Sequence, residues 1–149
     1  MNDCIPNYVP GGTITGHCSA AVTGKRFVKV TGDKQGADLG AGLDADALGG
    51  NYVVGPVTTL GERVLGVAKR DTASGGKVGV YSDPGLILPV KSGAAINQWQ
   101  EVMTDATGQA IPYAVGAGRY AVGVAMAACA SGADCEVKLY GIPALGAAA

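Results

Sequence analysis

Residues 63–81 of this chain are written a second time at residues 120–140. Gly66, Val67 and Ala68 return as Gly123, Val124 and Ala125, and Ala73, Ser74 and Gly75 return as Ala130, Ser131 and Gly132. Val78, Val80 and Tyr81 then match Val137, Leu139 and Tyr140. Each copy reads as a strand, a connection of small residues and a second strand. Two copies point to two related sheet modules, since a solenoid needs at least about three repeats to bury its faces.

The text around the copies is a series of short strand-like runs broken by turns. Gly16 to Thr31 reads as a hairpin turning at Thr23-Gly24, with Val28 and Val30 inward and Lys25 and Lys29 outward. Thr31 to Gly36 closes it as a polar turn, and residues 37–50 read as a loop with one helical turn. Ser82-Asp-Pro-Gly85 is a strong turn, and Pro89 limits its run to an edge strand or a strand end. Glu136 to Tyr140 alternates, with Val137 and Leu139 inward. Turn signals every ~8–12 residues and almost no helical period predict an all-β fold, a small barrel or sandwich of short antiparallel strands. Pro6, Pro10 and Gly11-Gly12 make residues 1–12 an extended N-terminal arm. The remainder, 13–149, is expected to form a single β domain containing the repeat.

Composition says what such a domain lacks. With 25 Gly and a single Phe and Trp, little apolar area is available to each strand. The core should be thin, so self-association or docking on a partner would add burial. The apolar residues of the arm, Ile5, Tyr8 and Val9, suit such contacts, as do Trp99, Arg119 and Tyr120. Trp99 is either the anchor of the core or an interface hot spot. A net charge of −1 with no basic stripe argues against nucleic acid and membrane surfaces as partners. The first residues lack a basic segment followed by an apolar one, so synthesis in the cytoplasm without a secretion signal is expected. Four cysteines are free thiols by default in that compartment. Cys129 and Cys135 flank one connection and could face each other across a hairpin, and Cys4 and Cys18 could bridge an N-terminal loop.

Catalytic and ligand motifs fail on context. Gly40 to Ala45 and Gly116 to Ala121 fit a loose G-x-G-x-x-A, but neither has the following helix whose N-terminus would hold a pyrophosphate. Asp33, Asp38, Asp44 and Asp46 lack the calcium-loop order. His17 and Cys18 are strand neighbours and point to opposite faces, and the cysteine spacing does not suit zinc. No cofactor, no metal and no enzymatic activity are expected.

The order of segments adds a resemblance. A hairpin precedes Leu65-Gly-Val-Ala68, Thr72-Ala-Ser-Gly-Gly76 and Lys77-Val-Gly-Val80. Ala94-Ala-Ile96, Val102-Met-Thr-Asp105 with Gly108, and Val122-Gly-Val-Ala-Met-Ala-Ala128 follow. Over roughly residues 13–141 this resembles the small Ala/Gly-rich head decoration (cement) proteins of tailed bacteriophages. The resemblance implies a β-barrel-like structural module on the capsid surface of the virion, bound to the major capsid protein and often trimeric. It implies no catalytic residues. A carbohydrate or cell-surface binding β module is the alternative, although sugar platforms usually use several exposed aromatics.

Overall fold

The computed structural model describes residues 13–35 and 51–140. The expected arm at 1–12, the loop at 37–50 and the tail after Pro143 lie outside the described residues, as do the side chains of residues 33–35. The described residues form ten strands and no helix. In the first unit β1 (Ile14–Cys18), β2 (Phe27–Gln35), β3 (Asn51–Pro56), β4 (Gly66–Ala68) and β5 (Lys77–Tyr81) close a barrel in the order β1-β3-β2-β4-β5. In the second unit β6 (Ile87–Lys91), β7 (Glu101–Thr104), β8 (Ala110–Pro112), β9 (Gly123–Ala125) and β10 (Asp134–Leu139) form a sheet in the order β6-β10-β9-β7-β8.

Read strand for strand, the second order repeats the first, and the registers agree. They also correct the match read from the sequence: Val80 and Tyr81 stand where Val137 and Lys138 do, not Leu139 and Tyr140. The ladders pair Ala68 with Val80 and Ala125 with Val137 and leave no inserted residues between the copies. Phe27 opposite Val67 corresponds to Glu101 opposite Val124, and His17 opposite Lys77 corresponds to Lys91 opposite Asp134. Val30 opposite Val54 corresponds to Thr104 opposite Ala110. Even the barrel closure has a trace in the second unit. Cys18 pairs Val54 in the parallel β1–β3 ladder, and one parallel bridge joins Ser92 to Ala110 at the matching place.

The parallel ladder follows from counting. A closed ring with an odd number of strands cannot alternate direction all the way round, so one pair in a five-stranded barrel must run parallel. That requirement overturns the expected hairpin at residues 16–31. β1 pairs β3 and β5, while β2 pairs β3 and β4. It also removes the expected polar turn after Thr31, because β2 runs on to Gln35 through two register shifts against β3. Before those shifts, along the regular part of the ladder, Val28 is buried, but Val30 is 48% exposed and not inward as its alternation suggested.

The repeated letters mark places where the backbone leaves no choice. A Cβ on Gly66 would stand 2.1 Å from the Tyr81 carbonyl oxygen, and one on Gly123 would stand 2.5 Å from that of Lys138. Gly75 and Gly132 turn with φ of 80° and 79°, the left-handed region that glycine enters freely. The preceding serines tie that turn to the end of the first strand: Ser74 Oγ donates to Ser19 O and Ser131 Oγ to Gly93 O, both at 3.1 Å.

Two cores result. The barrel encloses Cys18, Val22, Val28, Val54, Ala68, Val78 and Val80. The second core holds Ile96, Val102, Ala110, Ala125, Cys135 and Val137, and it also takes in Phe27, Val57, Val67 and Tyr81 from the outside of the barrel. The first unit is thus a lid on the second.

Candidate assembly surfaces

Where the units meet, the turn before β2 sits on the rim formed by β6, β10 and the β7–β8 turn. Lys25 adopts φ 61°, which directs its carbonyl to the Lys91 amide at 2.8 Å and its Nζ to Asp134 Oδ2 at 2.7 Å. Arg26 donates to Thr107 O at 3.2 Å, and the Phe27 amide donates to Gly108 O at 2.8 Å. The Asp105 carboxylate shapes the receiving turn by accepting from the Thr107 and Gln109 amides at 2.7 and 2.8 Å. Gly108 is required there, since a Cβ would lie 2.7 Å from Phe27 O.

The second unit carries the same turn with no rim beneath it among the described residues. Trp99 has φ 62° and gives its amide to Ala125 O at 2.8 Å, as Lys25 gives its own to Ala68 O at 3.0 Å. Its side chain is 66% exposed, so Trp99 does not anchor the core. Around the same sheet face, Phe27, Val67 and Tyr81 of the first unit are replaced by Glu101, Val124 and Lys138. Glu101 accepts from the Tyr140 hydroxyl at 3.1 Å. Burial, and then that bond to a carboxylate, push the phenol of Tyr140 above its ordinary pKa.

A second contact between the units lies across the joint. Gly61 donates to Thr104 O at 2.8 Å and accepts from the Tyr120 amide at 2.9 Å, while the Arg63 guanidinium lies 4.7 Å over the Tyr120 ring. The Arg119 side chain covers Gly61. Next to it, Lys29 pairs with Glu62. Burial alone would raise the Glu62 pKa, but the Lys29 ammonium and the Thr58 and Thr59 amides outweigh it and hold the carboxyl below its ordinary value.

These faces are built for packing, and among the described residues no three His, Cys, Asp or Glu side chains gather where a metal ion could sit. The model of the phage cement proteins matches residues 9–140. The chain belongs to the phage cement protein family. As a phage cement protein it is a structural protein of the phage head. Its fold is similar to that of the head fiber gp8.5 N base of bacteriophage phi29, with a TM-score of 0.61 at 16% identity over 89% of this chain and 96% of that one. A comparison with curated proteins finds no match.

The other residues singled out in this cement protein fall as follows. Arg119 and Tyr120 are half-buried and engaged in the inter-unit contact, whereas Trp99 stands on the surface. Ile5, Tyr8, Val9 and Cys4 lie outside the described residues. Cys18, Cys129 and Cys135 are free thiols in this structure. Cys129 packs against the core that contains Cys135, and the Cys135 pKa is pushed up to about 12 by burial, the Cys129 thiol beside it and the charge of Glu136. His17 is half-buried and Cys18 buried, on opposite faces of β1. Gly116 to Ala121 leads into strand β9, so no helix N-terminus faces it.

What the sequence did not disclose is the joint. Lys25, Asp134, Phe27 and Gly108 carry no shared motif, and only the closed barrel brings them together. A glycine inside a Thr-Asp-x-x-Gly turn was the one available signal.

Proposed function

We propose that this protein is a capsid decoration subunit that binds the outer face of a phage head and stabilises contacts between coat subunits. The match of the cement family over residues 9–140 carries this reading. Its partner is the major capsid protein, it self-associates, with a trimer as the expected assembly, and its role is structural and non-catalytic. The molecule is made in the host cytoplasm and joins the capsid surface there. Retention works by avidity, because many modest contacts repeated over one lattice sum to firm attachment. Residues 1–12, with Ile5, Tyr8 and Val9, add a docking strap to the shell.

Co-sedimentation of the purified protein with decoration-free heads, followed by cryo-EM of the pellet, tests the proposal. Saturable occupancy of symmetry-related positions on the outer shell is the expected result, and removal of residues 1–12 should lower that occupancy without unfolding the domain. Absence of binding to mature heads would overturn the decoration role.

A further inference from the structure

We propose that Cys129 and Cys135 are a redox pair that a low-molecular-weight disulfide closes into a Cys129–Cys135 bond, locking the connection between β9 and β10. The bond is a property of the chain alone, whereas its timing rests on the function proposed above.

Cys135 lies in β10 opposite Val90 and is 1% exposed, and its thiol donates to Ala127 O at 3.8 Å. Cys129 is held within the connection by a pair of backbone bonds. Its amide donates to Ile96 O at 2.9 Å, and its carbonyl accepts from the Ile96 amide at 3.0 Å. The other residues of 127–132 are exposed, and Cys129 alone turns in, onto the core that contains Cys135. There the two thiols are hydrogen-bonding neighbours. Sheet pairing thus fixes both backbones with the sulfurs already together, as an S–S bond of about 2 Å needs. Cys18 belongs to the separate barrel core, so among the described cysteines only these two are placed to pair.

The first unit shows that the fold itself does not call for sulfur here. In the shared register, Cys129 and Cys135 stand where Thr72 and Val78 do. Thr72 makes the same two backbone bonds, to Val22, and Val78 fills the same buried strand position. Neither place requires a cysteine, yet the second unit has one at both.

Cys129 is half-exposed and meets the oxidant first. With glutathione disulfide, the Cys129 thiolate attacks one sulfur, forms a mixed disulfide and expels one glutathione thiolate. The Cys135 sulfur then attacks Cys129 Sγ and expels the second. Two protein thiols are oxidised, one glutathione disulfide is reduced, and the two cysteine protons end on the released thiols. Closure is the slow step, because burial, the Cys129 thiol and the charge of Glu136 push the Cys135 pKa up to about 12. On the proposed function, the reducing cytoplasm keeps the pair open during folding, and the medium outside the host closes it.

Mass spectrometry of the full-length protein, reduced, freed of reductant and held in glutathione disulfide, tests the bond. After alkylation in denaturant, cleavage before Asp134 separates Cys129 from Cys135. The two peptides should stay linked until a reductant is added, and oxidation should raise the urea midpoint. Cys129→Thr and Cys135→Val, which install the residues of the first unit, should each lose that redox-dependent difference. Two alkylated cysteines, a glutathione that stays on Cys129, or a link from either cysteine to Cys4 or Cys18 would overturn the pairing. Equal midpoints before and after oxidation would overturn the locking. Released phage particles dissolved directly into alkylating agent test the timing, with linked peptides expected. An open pair there would overturn oxidation after release while the bond seen with the purified chain stands.

Discussion

Lys25 and Trp99 occupy one structural position twice: φ of 61° and 62°, amides bonded to Ala68 and Ala125, the first covered by a carboxylate-bearing rim and the second 66% exposed. The same turn is thus a buried joint at one place and a surface at the other.

That contrast sets the effect of glycine at each position. A non-glycine residue pays roughly 1–2 kcal/mol in the left-handed region, offset in part by the extra chain entropy of glycine when unfolded. Trp99→Gly should therefore raise monomer stability by about 0.5–1 kcal/mol in urea unfolding. Lys25→Gly gains the same relief but loses the half-exposed Asp134 pair and should change stability less. Equal gains at both sites would mean that the ion pair adds nothing.

At Gly66 and Gly123 the order reverses. A methyl group would meet the carbonyl oxygens of Tyr81 and Lys138, which are held in the neighbouring strands. Gly66→Ala and Gly123→Ala should each cost about 2–4 kcal/mol. The tighter approach at Gly66 should make its variant the worse of the two in thermal unfolding.

Thr72 stands where the second unit has Cys129, and its buried hydroxyl oxygen has no hydrogen-bond partner among the described residues. Leaving such a group unsatisfied costs ~1–3 kcal/mol, and valine has the same shape without it. Thr72→Val should stabilise the barrel by about 1 kcal/mol, read as a higher urea midpoint with an unchanged slope.

Glu62 gives a pH signature. Its folded pKa lies below its unfolded value, so its contribution is present above the unfolded carboxylate pKa and fades as pH falls through the folded one. The stability gap between the wild type and Glu62→Gln should be constant near neutrality and close on acidification below the ordinary glutamate range. A gap that persists in acid would show that the Lys29 pair is not its source.

Sequence exposed those parts of the fold in which backbone crowding dictates residue type. Gly66 and Gly123 repeat because a side chain cannot fit, Gly75 and Gly132 because the turn needs a positive φ, and Ser74 and Ser131 because the turn must be tied down. The strands between those points are constrained only to be small and apolar on one face. Ile14 to Cys18 and Leu88 to Ser92 therefore share a place in their ladders with almost no letters in common. The parallel β1–β3 pair was hidden for a different reason: ring closure is a property of five strands together, and no local pattern encodes it. Trp99 misleads in the same way. Rarity makes an aromatic look like a core anchor, but Trp99 sits on a left-handed turn at the surface, while the aromatic places in the second core are taken by Phe27 and Tyr81 of the first unit.

Phe27, Val57, Val67 and Tyr81 are exterior to one core and interior to the other, and this asymmetry gives the chain a direction in time. Among the described residues the barrel draws its filling from residues 18–80, whereas the core of the sheet that follows includes Phe27, Val57, Val67 and Tyr81 of the barrel. As the polypeptide leaves the ribosome, the first half can close while the second is still being translated, and it then serves as the template on which the later strands settle. A circular permutant that begins at Leu86 would invert this schedule and expose the hungry sheet first.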